Sequence, residues 1–149
     1  MSKKHPLPPA LQGEIGEDAY ARWLRRKAAA HVKRDRLRGR ACTMSAYKTA
    51  IHQAVLASSG RDAYTGEKLD WHLISTYDNA ASKAGKHGYK ALFALLPTVD
   101  HIDASPECAS FNVCAWRTND AKNDLSHADF IDLCRRVLAH ADHFAQAAE

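Results

Sequence analysis

No Cys-x-x-Cys pair occurs in this chain. Its cysteines, Cys42, Cys108, Cys114 and Cys134, are scattered, so no zinc ribbon is written here and no structural zinc is expected. Free thiols suit a reducing compartment, and their expected role is that of small buried hydrophobes. Long apolar runs are missing too. The longest near the middle, residues 91–96, stops at Pro97 and is far too short to span a bilayer. The N-terminus carries Lys, His and Pro without an apolar segment, so no secretory signal is expected. A cytoplasmic setting without a membrane partner follows as the expectation. There is no internal repeat, no low-complexity tract and no heptad pattern that would specify an oligomer.

What is present fits one domain of mixed class. The 149 residues, 46% of them apolar, can bury a core. The net charge of +4 is unevenly spread. Residues 1–40 hold 11 Lys and Arg against 4 Asp and Glu, whereas residues 41–149 hold 10 against 13. A basic N-terminal third on a mildly acidic body points to a polyanion partner. The plainer reading of the same residues is a solvated helix face. Lys33, Arg34, Arg36, Arg38 and Arg40 form the densest part, with only Asp35 opposing.

Hydrophobic spacing predicts a helix from Glu14 to about Arg38 on Ile15, Ala19 and Trp23, with acids in the first turns and Gly39 as its stop. A second helix is expected after Ser45 as N-cap, with Tyr47, Ile51 and Val55 on one face. Residues 61–71 read as turn-rich, and residues 78–90 fit either a loop or a short helix. Thr98–Ile102 and Phe111–Trp116 read as strands joined by the loop Asp103–Glu107. Thr118 is the expected cap of a short helix. Ser126 and Asp129 form a capping-box-like start for a last helix that should bury Phe130, Leu133, Cys134, Val137 and Leu138. Trp23, Trp71 and Trp116 read as core or rim, and His140 and His143 as facing solvent.

The chemistry-bearing residues are Asp100-His101 on the first strand and Asn119-x-x-Lys122 on the short helix. Asp and Asn offer hard oxygen donors of the kind Mg²⁺ accepts. His offers a base with an unperturbed pKa near neutrality. Adjacent strand residues point to opposite sides, so Asp100 and His101 can serve one phosphate only if the chain turns there.

Three segments, Tyr64-Thr65-Gly66-Glu67-Lys68-Leu69, Thr98-Val99-Asp100-His101-Ile102 and Arg117-Thr118-Asn119-Asp120-Ala121-Lys122, resemble the HNH (ββα-metal) endonuclease superfamily. The likeness is to HNH domains without the zinc-binding Cys pairs and covers roughly residues 61–125. It implies an α+β fold: a ββα-metal core within residues 61–149, closed by a C-terminal helix, with residues 1–60 as a basic helical extension packed on it. It also implies a divalent-metal-dependent endonuclease, with DNA as the family's usual substrate. His101 would be the general base, and Asp100 and Asn119 would hold one Mg²⁺ or Mn²⁺. Asn112 is the candidate for the middle position that steadies the histidine's loop, although Ser110 lies nearer the usual spacing. Lys122, Arg117 and the basic run Lys33, Arg34, Arg36, Arg38 and Arg40 would contact phosphates. The rival reading is a non-catalytic HNH-like module that binds nucleic acid or acts as an accessory factor.

Overall fold

Apolar residues at positions 20, 24, 28 and 32, joined by Trp23, fall on one side of a 3.6-residue helix. In the structure, a computed structural model that describes residues 3–76, 91–103 and 109–148, they are the buried stripe of α1, Glu17–Leu37. The helix starts later than Glu14 because Leu11 O accepts from Glu14 N and Ile15 N in a preceding turn. Gly16 is the N-cap. The second helix, α2, is Met44–Ser58, and its cap is Thr43, not Ser45. The Thr43 hydroxyl accepts from Ala46 N at 3.1 Å, while Ser45 lies in the first turn and takes Lys4 Nζ at 2.8 Å. Tyr47, Ile51 and Val55 are buried as the spacing requires.

Gly60 follows α2 with φ +75°, and a Cβ there would stand 2.8 Å from Leu11 Cδ2. Its carbonyl accepts from Trp71 Nε1 at 2.9 Å. Only glycine permits this approach without strain. Trp71 in turn meets Trp23 edge-on, ring centroids 4.9 Å apart.

The strands β1, Pro97–Asp103, and β2, Ser110–Ala115, pair antiparallel, and α3, Trp116–Lys122, follows without a linker. Thr118 is not the cap of α3. The helix begins two residues earlier, where Trp116 N and Arg117 N donate to Leu96 O and Ala94 O. Val99, Phe111, Val113 and Ala115 on one face of the hairpin join Tyr20, Trp23, Leu24, Ile51 and Val55 in a single core cluster. The first 60 residues therefore build the same core as the hairpin.

The last helix, α4, is His127–Ala147, and Ser126 caps it through Asp129 N at 3.1 Å. Its expected burial is not found. No residue of α4 is buried; Leu133 is 46% exposed, and Val137 and Leu138 are each 62% exposed. Only the first turn touches the rest of the described chain in an aromatic contact, His127 and Phe130 packing on Tyr64. Amphipathic spacing states which face a helix can bury, not that a neighbour covers it. Of the cysteines, Cys114 is buried as expected, Cys42 is half-buried and Cys134 is exposed, against expectation. His140 and His143 are exposed. Residues 78–90 with His87, the loop residues 104–107 and Cys108 lie outside the described residues. Among the described residues no helix is long and apolar enough to cross a membrane.

Candidate active site

The turn before the hairpin is anchored by one carboxylate. Asp62, 2% exposed, accepts from Tyr64 N and Thr65 N on Oδ1 and from Ala115 N and Thr118 Oγ1 on Oδ2. It thus ties the Tyr64-Thr65-Gly66 turn to the junction of β2 and α3. Gly66 sits at φ +76° and donates to Asp62 O, a conformation that suits the glycine of that turn.

Strand alternation separates the two candidate chemical residues. Asp100 stands opposite Asn112 and His101 opposite Phe111, and the register shifts between His101 and Asp103. Such an irregularity re-aims side chains at a strand end. Asp100 and His101 both line the same two cavities, of about 260 and 540 Å³. Both residues are in regular register and the shift comes after His101, so the expected turn between them is not found; they share the two cavities without it.

Asp100 belongs to the α3 side. Its Oδ2 accepts from Tyr64 Oη at 2.6 Å and lies 3.2 Å from Lys122 Nζ. Burial and then the bond to Asp100 push the Tyr64 phenol upward, while a bond with Asn112 opposes them. Asn112 therefore shares a face and a partner with Asp100. Ser110 stands opposite Asp103, across the register shift. Neither candidate for the middle position is the cross-strand neighbour of His101. Lys122 is buried, its ammonium beside Asp100, and not displayed on the surface.

His101 belongs to the α1 and α2 side. Its Nε2 is 2.9 Å from Asp35 Oδ2, and Asp35 is wholly buried on α1. Tyr47 on α2 also donates to Asp35, and Arg40 Nη1 lies 3.8 Å from it. Burial raises the Asp35 carboxyl, but the bonds from Tyr47 and His101 and the charges of His101 and Arg40 outweigh it, holding it below the usual range. The His101 ring packs on Phe111 at 4.7 Å and edge-on to His31 at 4.6 Å. Sequence reading missed Asp35 and His31. A signal was available: Asp35 lies three residues after Val32 and seven after Ala28, on the buried stripe of α1.

The smaller cavity is polar, lined by Asp100, His101, Asn119, Asp120, Asn123 and, from α1, His31 and Arg34. Asn119 is thus brought to Asp100 and His101. The larger one adds Arg38 and Lys122. The basic run is divided by its helix. Arg34 and Arg38, one turn apart, face the cavities, whereas Lys33 and Arg36 border a different groove with Leu37 and Met44. Arg36 binds Cys42 O at 3.0 Å, and Arg40 turns inward to Asp35. Arg117 is exposed and paired with Glu67.

The donor chemistry around Asp100 fits a hard divalent ion: one carboxylate and the Asn119 amide on a polar cavity. Among the described residues no group of three or more His, Cys, Asp or Glu could hold a metal ion. A bound ion would complete its shell with water and substrate oxygens, as Mg²⁺ commonly does. No family model, curated protein or solved structure matches this chain.

Proposed function

We propose that this protein is a divalent-metal-dependent phosphodiesterase of the HNH (ββα-metal) type, acting on nucleic acid, with DNA as the expected substrate. The observation that carries the reading is the convergence of Asp100, His101 and Asn119 on one polar cavity, bordered by Arg34. A hairpin followed directly by a helix supplies all three of the converging residues.

The chain's own residues divide the work. His101 takes the proton of the attacking water; its Nε2 is engaged by Asp35, so Nδ1 is the nitrogen that acts. Arg34 and Arg38 hold phosphate oxygens at the cavity mouth. Asp100 and Asn119 would hold the ion, with Tyr64 fixing Asp100 Oδ2 and Lys122 Nζ within 3.5 Å of both carboxylate oxygens. The ion, when bound, supplies charge stabilisation for the phosphate and the leaving oxygen. One such centre cuts one strand.

Supercoiled plasmid with Mg²⁺ or Mn²⁺ tests the proposal, with EDTA and His101→Ala as controls. Metal-dependent nicking lost in the variant is the expected result. A second reading has one observation in its favour, the neutralisation of Asp100 by Lys122, which suits a module that binds without cutting. Salt-sensitive DNA binding with no cleavage under either metal would replace the first reading with that one.

A further inference from the structure

The hairpin and α3 do not hold His101 alone. Two side chains from α1, in the part of the chain outside the HNH resemblance, converge on its ring. Asp35 meets Nε2 at 2.9 Å, and His31, one helical turn earlier, meets the ring edge-on at 4.6 Å. Both are buried, at 0% and 4% exposure. His31 also packs edge-on to Phe111 at 5.1 Å, so the two imidazoles and the phenyl ring form one aromatic wedge. Tyr47 completes the support by donating to Asp35 from α2.

We propose that Asp35 and His31 are positioning residues for His101, Asp35 fixing its tautomer and His31 fixing its ring plane. The inference rests on the nuclease reading for its kinetic consequence only. An ionised carboxylate accepts and never donates, so the proton between the two groups sits on Nε2. The lone pair is then on Nδ1, the nitrogen a general base must use here. A third group that orients the base is the recurring logic of such sites. His31 suits its place because it stays uncharged. Burial, with the nearby charges of His101, Arg34 and Lys27 and against that of Asp35, lowers it to about 3. It therefore adds no cation beside the base. Its Nδ1 is buried without a hydrogen-bond partner among the described residues, an arrangement that costs stability.

The test uses the full chain and two readouts. The first is the ¹⁵N and ¹H correlation spectrum of His101, which distinguishes Nδ1–H from Nε2–H imidazole. Wild type should be the Nε2–H tautomer. Asp35→Asn, whose amide can donate, should shift the population toward Nδ1–H. The second readout is nicking kinetics. Asp35→Asn should lower kcat about 100-fold, the size of a general-base contribution, with KM within about twofold because no substrate contact is lost. His31→Phe, which keeps the wedge, should retain most of kcat, and His31→Ala should lose about tenfold, an order-of-magnitude figure for a displaced base. An Nδ1–H tautomer in wild type overturns the proposal even if Asp35→Asn fails to fold. Unchanged tautomer and kcat in Asp35→Asn, with His101→Ala inactive, overturns it while the nuclease reading stands. A tautomer shift in a protein that never cuts supports the positioning role and removes the nuclease reading.

Discussion

Lys122 Nζ lies 3.2 Å from Asp100 Oδ2, with the two side chains only 4% and 10% exposed. A buried pair of this kind adds little beyond an apolar substitute, but removing one partner strands the other's charge. Lys122→Met should therefore destabilise the fold by about 3–5 kcal/mol, read as a lower urea midpoint. If Asp100 is a metal ligand, Mg²⁺ should raise the Tm of the variant more than that of wild type, because the ion replaces the lost positive charge. A variant as stable as wild type would show the pair to be solvated. Destabilisation without a Mg²⁺ response would remove Asp100 from the metal site.

Arg34 and Arg38 border the cavities shared by Asp100 and His101, whereas Lys33 and Arg36 border a different groove. Both pairs come from the same charged stretch, and only helix geometry separates them. Each phosphate contact adds about 0.9 to the slope of log affinity against log salt. The double variant Arg34→Gln/Arg38→Gln should flatten the slope for duplex DNA by about 2. Lys33→Gln/Arg36→Gln should leave it within error of wild type. Equal effects from the two pairs would mean that DNA does not read the helix face, and the site would lose its phosphate-binding wall.

The parts of this fold that were legible in the sequence are those set by local rules. The Tyr47, Ile51 and Val55 stripe, the two strands and the Ser126 cap each depend on a few neighbouring residues. Several of the failures involve a distant partner. Thr118 resembles an N-cap, yet its hydroxyl serves Asp62 at a separation of 56 residues. Asp35 looks like a stray acid in a basic run until it meets His101, 66 residues away. The helix position of Lys122 is visible in sequence and suggests a phosphate contact, whereas its burial against Asp100 is not visible there. Motif position offers Asn112 or Ser110 without naming a cross-strand partner, and the ladder sets Asn112 opposite Asp100.

The exposed stripe on α4 makes a contrast with the core that denaturation can read. Ile51 is fully buried, and Ile51→Ala should cost about 2–5 kcal/mol through lost burial and a cavity. Val137 and Leu138 are mostly exposed, so Val137→Ser and Leu138→Ser should each change stability by no more than about 0.5 kcal/mol. A loss above about 2 kcal/mol from either, the scale of a buried aliphatic side chain, would mean that this face is covered in solution.

Stability should fall as the solution is acidified from pH 7 to 5, and His31 is the main cause. In the unfolded chain a histidine binds a proton below about 6.5. In the fold, burial first and neighbouring positive charge second keep His31 neutral down to about 3. The unfolded state thus holds more protons across that window, so stability is full above it and declines as pH drops through it. From pH 7 to 5 the decline from one such histidine is about 2 kcal/mol. His52 and His5, both lowered by burial, contribute with the same sign. Asp35 also has a lowered pKa, but its share is lost only below about pH 4, where the unfolded carboxyl titrates. Urea unfolding of wild type and His31→Phe at pH 5, 6 and 7 separates these contributions. The variant should lose most of the slope over this range and keep the remainder due to His52 and His5. A slope unchanged by the substitution would mean that His31 is protonated in the fold, and the neutral ring assigned to it beside His101 would have to be given up.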